Sequence, residues 1–258
     1  MRMSAEFRLL AAAAATLGVA AGCALPLVTE SEIDSQSQVA FEQMRRQGDV
    51  VKDARTRAYV NCVVNAIVRE LPDDYDELEW DVEVFENDEA NAFAMPGRNI
   101  GVFSGILKRM DNQDQLATVI GHEIAHVTEK HSLERANRAA TANIGVSGLA
   151  ILTGTGNSGA ALGSLIADLG LNKPFTRGNE SEADVVGLRY MAAAGFDPRQ
   201  AVPFWNNMQQ NEKRRPPEFM LTHPAPEKRI NQLIAELPET LQIYNAARAA
   251  GKKPACGK

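Results

Sequence analysis

The sequence predicts an α+β fold, predominantly helical, with a small sheet beside one apolar helix. Three observations lead there. Apolar residues return at helical spacing through most of the chain between residues 39 and 250. Only two short runs, 80–85 and 99–103, alternate apolar and polar residues as strands do. The segment TVIGHEIAHV, 118–127, reads as an apolar helix with a polar interruption, and a His and Glu buried there without a task would be costly. A hydrophobic content of 45% in 258 residues is ample for a buried core, in one domain or two.

Taken in order, residues 1–22 read as a signal peptide, because Arg2 and Arg8 precede an apolar run, 9–21, too short to span a bilayer comfortably. Ala20-Ala21-Gly22-Cys23 resembles a bacterial lipobox, so Cys23 is the expected lipidated N-terminus, and Ala24 after it fits sorting to the outer membrane. A plain signal peptide ending nearby is the alternative. Residues 23–38 are polar after the Cys and read as a tether; 39–250 form the folded domain and 251–258 a tail. Within the domain, a helical pattern runs over 39–71 with Ala58, Cys62 and Ile67 on its apolar face, and Leu71-Pro72-Asp73-Asp74 ends it. The strand at 80–85 and the strand at 99–103 flank the Pro96-Gly97 turn.

Arg138 and Asp168 bracket an uncharged stretch long enough to cross a membrane, but Gly, Thr, Asn and Ser at 153–158 interrupt it. Two short helices joined by a loop and covering a cleft fit better; a membrane span is the alternative. Pro198 opens a helix with Phe204, Trp205 and Met208 as its core stripe, and helices over 226–237 and 240–250 complete the chain. The formal charge of -6 argues against nucleic acid as a partner. Cys62 and Cys256 form an even pair once the leader is removed, and in an oxidising compartment such a pair is more often bridged than free.

The chemistry lies in HEIAH, His122 to His126. Residues four apart on a helix sit one above the other, about 6 Å along the axis, so His122 and His126 can offer nitrogens to one ion with Glu123 at its edge. Two His and one carboxylate, with a fourth position left for water, is a zinc-hydrolase arrangement. Glu180 in the segment NESEAD is the best third ligand. Asp184, one turn later, can hold a ligating imidazole in its tautomer. Glu182 points to another side of that helix.

Four segments, NAFAMPGRNIGVFSGIL from Asn91, VIGHEIAHVTEKH from Val119, NESEADVVGLRYM from Asn179 and THPAPEKRI from Thr222, stand in an order that resembles the HtpX and CAAX-prenyl-protease superfamily of gluzincin metallopeptidases. The likeness is greatest to its soluble periplasmic lipoprotein branch, the BepA and LoiP type, and covers residues 39–237. It implies a zincin-like peptidase core with one Zn2+ per chain, held by His122, His126 and Glu180. It also implies that the NAFAMPG segment borders the cleft, where Asn91, Ala92, Phe93 and Ala94 would pair with an extended substrate.

The reaction implied is peptide hydrolysis, with Glu123 taking a proton from metal-bound water and returning it to the leaving amine. His223, Arg229 or Tyr190 could donate to the oxyanion. Three roles remain open for His223 in its Thr-His-Pro sequence: transition-state donor, removable fourth ligand that blocks the water site, or turn residue without catalytic consequence. The resemblance favours the blocking ligand. His131 is expected to be exposed or to cap a helix. Expected partners are unfolded or misassembled proteins of the periplasm, the outer-membrane assembly machinery, and the outer membrane itself through a lipid anchor. The rival function is a chaperone-like assembly factor that binds outer-membrane proteins and rarely cuts. A weaker one is hydrolysis of cell-wall peptide, for which no glycan-binding module is visible.

Overall fold

The structure, a computed structural model, describes residues 28–72, 75, 79–147, 174–210, 217–223 and 228–257. The expected signal peptide, Cys23 and most of the segment between Arg138 and Asp168 lie outside the described residues. Among the described residues, no helix is long and apolar enough to cross a membrane.

Helix α1 (Glu30–Gln47) begins inside the segment read as a tether, because Thr29 and Glu32 close a reciprocal capping box. Its fully buried residues are only Ile33, Ser37 and Phe41, with Ala40 and Met44 partly buried beside them, a stripe too thin to stand out from polar composition. The single helix expected over 39–71 is in fact two. The backbone turns extended at Gly48, and Asp53 then caps α2 (Ala54–Val68) by accepting from the Thr56 N–H. Helix α2 buries Val60, Val63, Val64 and Ile67 in the main core.

Three strands follow: β1 (Asp81–Phe85), β2 (Ala92–Met95) and β3 (Asn99–Phe103). Their order is β1-β3-β2, with β1 parallel and β2 antiparallel to β3. The segment at 92–95, expected only to border a cleft, is thus a full strand at the sheet edge. Four consecutive buried residues hide the alternation that identifies strands from sequence. The period of two still sorts its side chains: Ala92 and Ala94 join the main core, whereas Phe93 and Met95 join Phe41 and Phe85 under α1.

After the single turn α3 (Ser104–Leu107), helix α4 (Gln113–Thr128) is capped by Asn112, whose side chain accepts from the Asp114 and Gln115 N–H groups. Helix α5 (His131–Ser147) starts after a reversal at Lys130, where φ is 56°. Helix α6 (Arg177–Ala193), capped by Thr176, packs on α4 more extensively than any other pair of the described elements. The two backbones touch at Gly121 and Gly187: a Cβ on Gly121 would stand 2.6 Å from the Gly187 carbonyl oxygen. Glycine at both positions is what lets α6 bring its carboxylates against the HEIAH face.

A 3-10 turn (Pro198–Gln200) leads into α7 (Ala201–Gln210), where Phe204, Trp205 and Met208 are buried as expected. Short α8 (Glu218–Thr222) and long α9 (Lys228–Ala249) follow. The two C-terminal helices expected from sequence are one, with Pro238 accommodated inside it. The tail returns to α2, where Cys62 and Cys256 are joined with Cα atoms 5.6 Å apart. Gln113 clasps the same tail through the Pro254 carbonyl and the Cys256 N–H, each at 2.8 Å.

Candidate metal centre

Five elements meet around one buried cluster. Helix α4 supplies His122, Glu123 and His126; α6 supplies Glu180 and Asp184; the residue ending α8 is His223; α9 brings Arg229; and α5 opens with His131. All eight are buried. Nε2 of His122 lies 3.1 Å from Nε2 of His126 and 3.2 Å from Nδ1 of His223. Glu180 completes the group, with Oε1 at 3.2 Å from His223 Nδ1 and 3.6 Å from His126 Nε2, and Oε2 at 3.5 Å from His122 Nε2.

These separations test whether an ion fits. Donor atoms at 2.0–2.1 Å from a tetrahedral ion stand about 3.3 Å from one another, and the five distances here run from 3.1 to 3.6 Å. The protonation pattern agrees. His122 Nδ1 faces Asp184 Oδ1 at 3.1 Å, and Arg229 Nη2, also 3.1 Å from that nitrogen, already donates to Asp184 Oδ1 at 2.5 Å. Nδ1–H therefore donates to the carboxylate and Nε2 keeps its lone pair. Lone pairs of neighbouring imidazoles converging on one point are unfavourable until a cation sits between them. His122, His126, Glu180 and His223 are the group of metal-binding type that the described residues contain.

Electrostatics suit the same use. Burial holds the His126 imidazole well below its ordinary pKa, and the neighbouring imidazoles add to the effect, so it is a neutral ligand. Burial also opposes ionisation of Glu180, but His223 and His122 outweigh it and hold that carboxyl well below the usual range. Glu123 differs: burial pushes its carboxyl up to about 7, although His223 opposes the shift. A base poised near neutrality is what proton transfer from water requires.

Glu123 touches both sides of the site. Its Oε1 is 3.3 Å from His223 Nε2, and its Oε2 accepts from the Ala94 N–H at 3.0 Å. The second contact follows from sheet register. The Phe103 N–H donates to the Asn91 carbonyl, so in the antiparallel pair the bonded positions are Asn91 and Phe93, while Ala92 and Ala94 turn their backbone groups to the open edge. Of the four predicted substrate-pairing residues, Ala92 and Ala94 face the sheet edge, but their N–H groups already donate to Asn91 Oδ1 and Glu123 Oε2, which leaves their carbonyls as the groups the edge offers. Asn91 is buried and accepts from the Ala92 N–H, and the Phe93 ring is core, 6.3 Å from Phe85 in a stacked arrangement.

Of the proposed oxyanion donors, Tyr190 is placed elsewhere, its hydroxyl donating to Thr128 Oγ1 at 3.2 Å. Arg229 is engaged with Glu180 and Asp184 of α6 and stacks 3.8 Å over Trp205. His131 corrects the sequence reading: it is buried, with Nδ1 2.8 Å from His126 Nδ1 and Nε2 3.2 Å from Glu182 Oε2. Five residues beyond His126 on an unbroken helix, it would point well away; the reversal at Lys130 turns it back. Phe175, also missed, stacks on the His126 ring at 3.9 Å and 17°.

The model of peptidase family M48 matches residues 54–237, more than half of the chain. The chain belongs to this family. It is 34% identical over 177 residues to mitochondrial metalloendopeptidase OMA1 of Saccharomyces cerevisiae, covering 66% of this chain and 50% of that protein. It is 31% identical over 250 residues to the beta-barrel assembly-enhancing protease of Escherichia coli K12, covering 90% of this chain and 50% of that protein. The Yersinia pestis protein of the same name is 32% identical over 229 residues, 83% of this chain and 45% of its own length. The chain thus spans about half the length of these curated relatives. The helix-rich α+β fold and the M48 membership both agree with the sequence reading.

Proposed function

We propose that this M48 chain is a zinc-dependent metalloendopeptidase that cleaves unfolded or misassembled proteins of the bacterial periplasm, at or near the outer membrane. The observation that carries the reading is the buried convergence of His122, His126, Glu180 and His223, whose donor atoms lie within 4.8 Å of one another, with Glu123 beside them. Zinc, when bound by the first three, supplies Lewis-acid polarisation of a carbonyl and lowers the pKa of water. The remaining steps belong to the chain. Glu123 accepts the proton of the attacking water and passes it to the leaving amine. Asp184 holds the Nδ1 proton of His122, and Arg229 holds Asp184 in turn. The outward carbonyls of Ala92 and Ala94 grip an extended chain with little regard for its side chains, which suits unfolded substrates.

We take His223 as the ligand that fills the position water needs, since its Nδ1 joins the donor cluster and its Nε2 meets the base. In this role it is the removable fourth ligand, and the folded site is a closed one. That closure favours a second reading, an assembly factor that holds outer-membrane proteins and rarely cuts them. The beta-barrel assembly-enhancing proteases among the relatives support the envelope setting. Anchoring through a lipidated Cys23 is part of the proposal; membrane fractionation of Cys23→Ala tests it, since retention of the variant in membranes excludes that anchor.

The deciding experiment is digestion of an unfolded protein by wild type and Glu123→Gln, with metal content measured in both. The substitution removes the base and leaves every ligand in place, so hydrolysis should vanish while zinc stays. Turnover by the metal-replete variant rules out the assignment of Glu123. Binding of outer-membrane protein by wild type without chelator-sensitive cleavage favours the holding role.

A further inference from the structure

The two imidazoles of HEIAH are backed differently. Behind His122 stands a buried carboxylate, Asp184. Behind His126 stands another imidazole: Nδ1 of His126 is 2.8 Å from Nδ1 of His131, whose Nε2 is 3.2 Å from Glu182 Oε2. With an ion on the Nε2 side of His126, only one arrangement of protons satisfies these contacts. His126 Nε2 faces His122 and Glu180, so its lone pair lies on the metal side and its proton on Nδ1. Two ring nitrogens 2.8 Å apart need one donor and one acceptor. His131 Nδ1 must then accept, which leaves its proton on Nε2, where the Glu182 carboxylate receives it.

Position explains why such backing is useful. His126 lies in the last turn of α4, which ends at Thr128, and helix ends fray. Its ring is gripped by its face, stacked on Phe175, and by its edge, bonded to His131. The reversal at Lys130 is what aims the first residue of α5 back at it.

We propose that His131 is a positioning residue of the metal centre, accepting the Nδ1 proton of His126 and so fixing that imidazole in the tautomer and orientation that present Nε2 to the ion. Glu182 fixes the tautomer of His131. The inference rests on the metal-centre reading above. It concerns the retention of metal rather than a step of hydrolysis.

The test compares zinc affinity, by competition with a chromophoric chelator, for wild type, His131→Leu and His131→Asn, with the melting temperature of each metal-free protein as control. Loss of a group that orients a ligand costs about 10- to 100-fold in metal affinity, and His131→Leu should show a loss of that size. An Asn side chain can place its amide oxygen near where His Nδ1 stands, so His131→Asn should return to within about threefold of wild type. Wild-type affinity in His131→Leu overturns the proposal. So does an equal loss in both variants, which would mean that packing alone is at stake. Should His131→Leu fail to fold, His131→Phe, which keeps a ring without nitrogen, replaces it under the same criteria. A wild-type chain that binds no stoichiometric zinc is a separate result and overturns both this inference and the metal centre.

Discussion

Replacing His223 by Ala separates its competing roles by the sign of the effect. In the closed site its Nε2 lies 3.3 Å from Glu123 Oε1 and its Nδ1 3.2 Å from Glu180 Oε1. Its ring also packs on Phe219 with centroids 4.8 Å apart. Productive binding of water requires this side chain to leave. The contact with Glu123 is one of ion-pair distance rather than a formed hydrogen bond; an opening cost of about 1.5–3 kcal/mol, the size of one charge-assisted contact, would hold the open form to roughly one part in ten to one in a hundred and fifty. Apparent activity scales with the competent fraction. His223→Ala should therefore raise basal kcat/KM by about 10- to 100-fold, because the variant needs no opening step. The assay is cleavage of a fluorogenic unfolded protein at saturating zinc, with metal content shown equal in both proteins, since the variant also loses a fourth donor. A fall of about 10²- to 10³-fold would refute the blocking role and identify an oxyanion donor instead. An unchanged rate would leave His223 a structural residue at the end of α8.

Three further substitutions test the ligand set and the frame around it. Glu180→Ala should lose zinc and hydrolysis together, whereas Glu182→Ala should keep its metal, because the Glu182 carboxylate is half-exposed and water can take its place beside His131; equal zinc content in wild type and Glu180→Ala would show the wrong ligand was chosen. Breaking the Cys62–Cys256 bridge by Cys256→Ser frees a loop of 194 residues and should cost about 2–4 kcal/mol, read as a fall in melting temperature of roughly 5–15 °C. A melting temperature unmoved under non-reducing conditions would mean that the bridge does not form in solution.

What could be read from the sequence follows the distance over which each signal acts. Local spacing of four residues is enough to align His122 with His126 and Glu180 with Asp184, and the structure brings the first three to one point with Asp184 behind His122. The apolar stripe of Phe204, Trp205 and Met208 is equally local and is buried as read. Signals were lost where the chain changes direction. Gly48 divides what periodicity joined, and Pro238 fails to divide what it was expected to break. Strand β2 escaped because burial on both faces erases alternation.

The site itself shows the same limit in a sharper form. Periodicity can say which residues share a helix face, but it cannot say what an adjoining element lays against that face. His131 lies five residues from His126, and only the left-handed φ of 56° at Lys130 folds it back to touch the ligand. Glu182 was dismissed because it points away from Glu180 on α6, and that is why it reaches His131. The outward-facing amide of Ala94, which meets Glu123, depends on the antiparallel register with β3. Each of these is set by two elements meeting, and between α4 and α6 it is the Gly121–Gly187 contact that sets how closely they meet. A side chain at Gly121 would push α6 away from α4 and move Glu180 and Asp184 off the imidazoles they serve, although neither glycine carries a functional group.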